Sequence, residues 1–296
     1  MKSGFVSIIG RPNLGKSTLL NSILDFKVAI TSDKAQTTRN IIQGIYNDPD
    51  TQIIFMDTPG IHKPKSKLGK ILNKESYAVM KDVDAILFVV DASDGLGTGD
   101  KFILESLKKE TTPVLLVLNK IDKMSREELF YSIQEYKDLF PFAEIVPVSA
   151  LEKDNIPRLI EVIKKYLKDT VRYFEEDMVT SNSMSFMASE LVREKLLNVT
   201  IEEVPHSLTC VTTKFDEKDS IANISVDIIV DRDSIKKIVI GKGGERLKII
   251  GMEARKELEK LLNKKVYLEL YVKTVRNWKE KQSLLKDLGF NELDLK

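Results

Sequence analysis

Five short apolar runs divide the first half of the chain: Phe5 to Ile9, Thr51 to Asp57, Ile86 to Val90, Pro113 to Leu118 and Glu144 to Ser149. Mainly apolar runs of this length predict strands, the first of them buried on both faces as in a parallel sheet. Helical periodicity follows the first run at Leu19, Leu20 and Ile23, and it closes the series at Ile160, Ile163 and Leu167. Strand, helix and strand in alternation predict an α/β domain with a doubly wound sheet over residues 1–170. Residues 171–183, VRYFEEDMVTSNS, break the pattern and predict a linker, although Tyr173 and Phe174 imply that it packs on something. A different order then begins. A helix over Met184 to Leu197 precedes strands near Leu208 to Phe215 and Ile221 to Val230. The apolar segment Ile235 to Ile240 leads to a helix with Leu247, Ile250, Ala254, Leu258 and Leu261 on one face, and Val266, Leu268, Leu270 and Val272 then alternate with Tyr267, Glu269 and Tyr271. The order α-β-β-α-α-β predicts a smaller α+β domain over residues 184–296.

Composition narrows the class without choosing it. With 296 residues, 42% apolar and 31% charged, the chain can bury one sizeable core and a smaller one. No apolar run is long enough for a membrane span, and the N-terminus enters a strand without a leader-like segment. The single cysteine, Cys210, cannot form an internal disulfide and is expected to pack in a strand, so no disulfide-linked partner is expected. With two histidines and one cysteine in the whole chain, of which only His206 and Cys210 stand near each other, the usual zinc ligand sets are excluded. The expectation is a monomer in a reducing cytoplasm.

The first strand runs directly into Gly10-Arg11-Pro12-Asn13-Leu14-Gly15-Lys16-Ser17, followed by Thr18 and the first helix. This strand, loop and helix context turns a glycine pattern into a phosphate loop: backbone N–H groups and a helix N-terminus face an anion, Lys16 reaches the β and γ phosphates, and Ser17 offers a hydroxyl to Mg²⁺. Asn119-Lys120-Ile121-Asp122 leaves the C-terminal end of another strand, where ligands sit in open parallel sheets. A carboxylate at Asp122 can accept from guanine N1–H and the exocyclic N2 amino group, whereas adenine offers an acceptor at N1 and no amino group at C2. Asn119 would tie loops together beside the base, and Lys120 would lay its stem over the ring. The backbone N–H of Ala150, in the Ser149-Ala150 pair, could donate to guanine O6.

Between these motifs lie candidate sensors of the γ-phosphate. Asp57 ends a strand where it can hold Mg²⁺ through water, and Thr58, Pro59, Gly60 and Ile61 follow it, with the Gly60 N–H placed to meet the γ-phosphate. Thr38 in QTTRN is the candidate for a second Mg²⁺ ligand and for catalysis together with Lys16 and Gly60. Its neighbour Thr37 is a rival that spacing does not separate.

Taken together, GRPNLGKS, QTTR, DTPG, NKID and SA resemble the Era-type GTPases, within the translation-factor-related bacterial GTPases. The resemblance implies a doubly wound P-loop GTPase domain using GTP/GDP and Mg²⁺. In related GTPases the asparagine at the Asn13 position helps bind K⁺, so Asn13 is a K⁺ candidate here. Ile61 stands where Ras-like enzymes carry the glutamine that orients the attacking water, and hydrolysis by the protein alone is expected to be slow. His62 is a weaker alternative as a base. KDN at Lys153 to Asn155 departs from the glycine-bearing turn of many relatives and puts local loop geometry in question.

The net charge of +1 conceals a split, with 17 Lys+Arg against 10 Asp+Glu in residues 232–296 and 29 against 35 in residues 1–231. In the basic part, Gly241-Lys242-Gly243-Gly244 sits between two helical segments and, with the element order, reads as a type II KH module. Gly241, Lys242, Gly243, Gly244 and Arg246 are the candidate RNA contacts. Trp278 is expected in the core, with base stacking as the alternative. The resemblance extends over nearly the whole chain and implies a C-terminal helix at the end of the second domain, a partner in the 3′ end of small-subunit (16S) rRNA, and a place in 30S subunit assembly. It also implies a cytoplasmic protein that can visit the inner face of the cell membrane as a peripheral contact. Two other readings stay open: a GTPase whose basic domain docks on lipid or protein, and an RNA scaffold with negligible turnover.

Overall fold

The computed structural model describes residues 1–64 and 66–290, so the last six residues of the expected second domain lie outside the described residues. The chain divides into two compact units, one over Met1–Ser181 and one over Asn182–Phe290.

The first unit is built on a six-stranded sheet of β1 (Lys2–Ile9), β2 (Ile42–Asp48), β3 (Thr51–Asp57), β4 (Ala85–Asp91), β5 (Val114–Asn119) and β6 (Glu144–Pro147), in the spatial order β2-β3-β1-β4-β5-β6. All neighbours are parallel except β2 and β3. Helices α1 (Lys16–Leu24), α2 (Lys67–Val79), α3 (Thr98–Leu107) and α4 (Arg126–Lys137) connect the strands, and α5 (Ile156–Ile163) follows β6. The apolar runs are strands because covering both faces of the sheet leaves no solvent side for polar residues: Val6, Ile8, Ile53, Phe55, Phe88 and Leu116 are all fully buried. Successive connections from β1 run first toward β3 and then toward β4, and the crevice at the carboxyl ends of these strands is where doubly wound sheets bind ligands.

The segment expected to link the domains belongs to the first unit up to Ser181. Gln52 does much of this. Its Oε1 accepts from the N–H groups of Tyr173 (2.7 Å) and Phe174 (3.0 Å), and its Nε2 donates to the Phe174 carbonyl (2.9 Å). The Tyr173 ring meets Phe5 edge-on at 4.9 Å. Farther along, the Ile45 N–H donates to the Val179 carbonyl and the Thr180 hydroxyl to the Gln43 carbonyl, so this strip covers the outer edge of β2. The boundary expected near residue 170 therefore shifts, because backbone pairing carries no hydrophobic period that would reveal it in the sequence.

The second unit contains α6 (Met184–Val199), β7 (Leu208–Glu217), β8 (Ile221–Val230), α7 (Asp233–Ile240), α8 (Glu245–Leu262), β9 (Lys265–Thr274) and a short α9 (Gln282–Asp287). β7 and β8 are antiparallel, and β8 and β9 are parallel. Met187, Leu191 and Leu196 of α6 and Ile250, Ala254 and Leu258 of α8 are buried along with Ala222, Ile224 and Val226 of β8. Cys210 is buried in β7. Trp278 is fully buried, its ring 6.3 Å from Phe290 and its Nε1–H donating to the Ser207 carbonyl, so it forms part of the core and base stacking is excluded for it. The unit is an α+β fold following an α/β fold.

Candidate functional site

The phosphate loop leaves β1 and enters α1 at Lys16, with Gly15 as its N-cap at φ 87°. A Cβ on Gly10 (φ 153°) would lie 2.4 Å from the Val89 carbonyl oxygen, so this turn accepts only glycine without moving β4. Pro12, Asn13, Gly15, Lys16, Ser17, Thr18, Thr38 and Gly60 line one cleft, which Gln36 and Thr37 also enter.

Inside the loop, the Lys16 ammonium donates to the carbonyls of Gly10 (3.2 Å) and Arg11 (2.9 Å). Burial lowers its pKa to about 8, against the pull of Asp57. Asp57, fully buried, is pushed up to about 6 by burial, opposed by Lys16, Ser17 and Thr38. Asp57 Oδ2 accepts from Ser17 Oγ at 2.6 Å, and Ser17 Oγ lies 2.8 Å from Thr38 Oγ1. The Thr37 hydroxyl instead donates to the Lys34 carbonyl. Asp57 Oδ1 is buried with no hydrogen-bond partner. Two hydroxyls and a carboxylate with an unsatisfied oxygen form a hard oxygen set, and these residues fit Mg²⁺.

Several predicted contacts have other employment. The Arg11 guanidinium turns away from the cleft and bonds Asp100 Oδ1 at 2.8 Å, with Asp94 beside it at 3.4 Å, so only the Arg11 backbone belongs to the loop. The Thr58 hydroxyl donates to the Ile8 carbonyl at 2.8 Å and is buried. Ile61 is 1% exposed, packed with Ile9, Met80 and Phe88, and its N–H donates to the Gly10 carbonyl at 3.1 Å. It cannot orient a water. Both ring nitrogens of His62 are occupied, Nδ1 by the Gly60 carbonyl at 2.8 Å and Nε2 by the Gln36 side-chain amide at 2.7 Å. A base with neither nitrogen available is a poor base.

At the base end, Asn119 holds three loops. Its Nδ2 donates to the Leu14 carbonyl at 2.8 Å and its Oδ1 accepts from the Ala150 N–H at 3.0 Å. That N–H, expected to face guanine O6, is thus turned toward Asn119. Asp122 is exposed, and one of its oxygens accepts from Ser149 Oγ at 2.5 Å, which orients the carboxylate and leaves further lone pairs on both oxygens. Lys120 sits at φ 66°, its ammonium 2.6 Å from Asp91 Oδ2 and 3.0 Å from the Asn13 carbonyl, so its stem is held beside the loop. Burial raises the Asp91 carboxyl, and Lys120 and Ser93 more than offset it, leaving Asp91 below its ordinary value. Asn13, at φ 66°, donates from Nδ2 to the Asp33 carbonyl at 2.9 Å. In the loop that departs from a glycine-bearing turn, Lys153 and Asn155 adopt φ 56° and 61°, and Asn155 Nδ2 steadies the turn on the Pro147 carbonyl. Asp91 and Asp100, which support the site, carry no motif that would single them out.

The second unit holds its own groove. Gly241 ends α7 at φ 76°, and Gly243 and Gly244 are also left-handed with open space around them. Leu247, Lys248, Gly251, Met252 and Arg255 of α8 and Leu268 and Leu270 of β9 line an apolar trough with two cations beside the GXXG loop. Arg246 points elsewhere: its guanidinium donates to the Ile238 carbonyl at 2.6 Å and braces the loop. Lys248 and Arg255 escaped sequence reading because a groove between a helix and a strand is not contiguous in the chain.

Residues 5–120 match a family model described as "50S ribosome-binding GTPase", and residues 203–279 match one described as "KH domain". Solved structures extend the likeness to the whole chain. One is Era in complex with MgGDPNP and nucleotides 1506–1542 of 16S ribosomal RNA, 42% identical, with a TM-score of 0.95 over 98% of this chain and 99% of that one. Another is a point variant of Aquifex aeolicus Era bound to GDP·AlF₄⁻, also 42% identical over the same shares, with a TM-score of 0.94.

Proposed function

The chain belongs to the Era family of GTPases, and from that premise we propose that it hydrolyses GTP as a switch and binds the 3′ end of 16S rRNA through its KH domain during 30S subunit assembly. The observation that carries this reading is the cluster of Lys16, Ser17, Thr38 and Asp57 at the phosphate loop, together with Asp122 fixed by Ser149 in the base-reading loop, in a chain that also holds a GXXG groove.

The geometry suggests how the residues divide the work. Lys16 holds two loop carbonyls and can exchange them for phosphate oxygens, which restore the charge that burial disfavours. Ser17 and Thr38 would hold Mg²⁺ directly, with Asp57 behind them through water. Bound Mg²⁺ supplies charge neutralisation at the β and γ phosphates. The Gly60 N–H is the candidate donor to the γ-phosphate, and Asp122 selects guanine. K⁺ beside Asn13 belongs to the same proposal; equal hydrolysis rates in potassium and sodium buffers would remove it. With Ile61 in the core, no side chain at that position activates water, and turnover by the protein alone is expected to be slow.

In the KH unit, unstacked bases would lie in the apolar trough while Lys242, Lys248 and Arg255 face phosphate. If GTP favours RNA binding, RNA must tighten GTP by the same factor. A monomer in the cytoplasm is proposed, with peripheral contact at the inner membrane face as a further proposal. Among the described residues no helix is long and apolar enough to cross a membrane. The test is fluorescence anisotropy of a labelled oligonucleotide matching the 16S 3′ end, with GTP analogue, GDP or neither at fixed salt. Tighter, sequence-selective binding with the analogue is expected; equal, sequence-blind binding would overturn the RNA reading and favour a lipid or protein partner.

A further inference from the structure

The peptide expected to meet the γ-phosphate is gripped on the side opposite its N–H. Pro59 and Gly60 share one peptide plane, in which a trans amide points its N–H and C=O in opposite directions. The Pro59 carbonyl accepts from Ser76 Oγ of α2 at 2.9 Å, and Ser76 is fully buried. The same hydroxyl lies 2.9 Å from the Leu72 carbonyl, so its single proton serves two acceptors. The next plane, Gly60 to Ile61, is pinned at both ends: its carbonyl faces His62 Nδ1 and its N–H donates to Gly10 of the phosphate loop. Gly60 has no room to shift toward the loop, since a Cβ there would lie 2.6 Å from the Pro12 nitrogen.

His62 connects this clamp to the other switch segment. A carbonyl can only accept, so Nδ1 carries the ring proton, and Nε2 of the neutral ring accepts from the Gln36 amide. Gln36 stands at φ 61°, an unfavourable conformation for glutamine that persists only where its surroundings hold it. Gln36 precedes Thr38 by two residues, and Thr38 Oγ1 lies against Ser17. Asn73 of α2 also holds His62, accepting from its N–H and donating to its carbonyl at 2.6 Å.

We infer that Gln36, His62 and Ser76 are positioning residues for GTP hydrolysis: the Gln36 to His62 bond locks the Thr38 segment to Gly60, and Ser76 sets the plane of the Gly60 N–H. The role assigned to all three is to hold the groups that meet the phosphate, not to act on the reacting atoms. With Ile61 in the core, placement of this amide stands in for the missing side chain. The inference rests on the reading of the cleft as a GTPase site.

The test compares full-length wild type with Gln36→Ala, His62→Ala, their combination and Ser76→Ala. Two measurements are made on each: single-turnover hydrolysis of pre-bound GTP and affinity for GDP, which lacks the group being sensed. Each single change should slow hydrolysis roughly tenfold, and the combined change no more than the stronger single one, because residues sharing one hydrogen bond are not additive. GDP affinity should stay within about twofold, which also reports that each variant is folded. Losses that multiply in the combined variant, equal losses of GDP affinity, or rates near wild type would each overturn the inference. A wild-type protein that binds GDP yet never turns GTP over would instead overturn the GTPase reading beneath it. Gln36 and His62 are half-buried loop residues, so their removal leaves the core intact even if Ser76→Ala disturbs α2.

Discussion

Gly15 lies so close to Asn119 that a Cβ on the glycine would sit 2.5 Å from Asn119 Nδ2. The phosphate loop and the base-reading loop are therefore fitted to each other, through the bond from Asn119 to the Leu14 carbonyl. Gly15→Ala adds both this clash and the strain of φ 87°. It should weaken GDP binding by at least about tenfold, measured by fluorescent-nucleotide titration, since a displaced buried amide costs on the order of 1–3 kcal/mol.

Asp122→Asn replaces an acceptor with a group that also donates. It should lower guanine nucleotide affinity by at least about a hundredfold, because a site built to pair a donor loses heavily when the pairing fails. Xanthine carries an oxygen where guanine has its exocyclic amino group, so affinity for xanthosine diphosphate should rise in the same variant. Competition titration with the two nucleotides checks both signs.

Nucleotide binding should move protons in opposite directions at two pH values. Asp57 is held up at about 6 by burial, and a cation beside it favours the carboxylate, so binding near pH 6 should release about half a proton. Lys16 is held down at about 8 by burial, and phosphate beside it favours the ammonium, so binding near pH 8 should take up a similar amount. Calorimetry of Mg²⁺-nucleotide binding in two buffers of different protonation enthalpy measures the sign. One sign at both pH values would count against this account.

The pair Lys242→Asp and Gly243→Asp places two negative charges on the GXXG loop, where Gly243 at φ 61° has open space around it. RNA affinity should fall by at least about tenfold with a shallower salt slope, while intrinsic GTP hydrolysis is unchanged. Unaltered RNA affinity would reject the groove.

Gln52→Ala removes three hydrogen bonds that hold Tyr173 and Phe174. Expected are a loss of about 1–3 kcal/mol in denaturant unfolding of the first unit and faster proteolysis within residues 171–181.

The parts of the site legible in the sequence are those where chemistry demands a residue type at a fixed distance from a strand end. Gly10, Lys16, Ser17, Asp57, Asn119 and Asp122 all sit on or beside the ends of β1, β3 and β5, and the apolar runs announce these strands. What stayed hidden was the second partner of each group. Nothing in spacing says that Arg11 would turn to Asp100, that Ala150 would give its N–H to Asn119, or that Arg246 would brace the Ile238 carbonyl. The first two choices depend on which loops meet across the sheet and the third on how the chain turns between α7 and α8, and such contacts leave no period in the chain. The strip at residues 171–181 is obscure for the same reason, since β2 takes it up mostly through the backbone and β3 through Gln52, which lies outside any motif.

The grip on the Pro59–Gly60 peptide has a genetic consequence. An amide proton survives every exchange of side chain except one to proline, so direct loss of the sensor is confined to changes at Gly60 itself, where a proline deletes the N–H and any Cβ meets Pro12. All other inheritable damage to it arrives indirectly, through whatever holds the backbone in place, and alleles that uncouple the switch without abolishing nucleotide binding should gather behind the peptide, at positions such as Ser76 and His62.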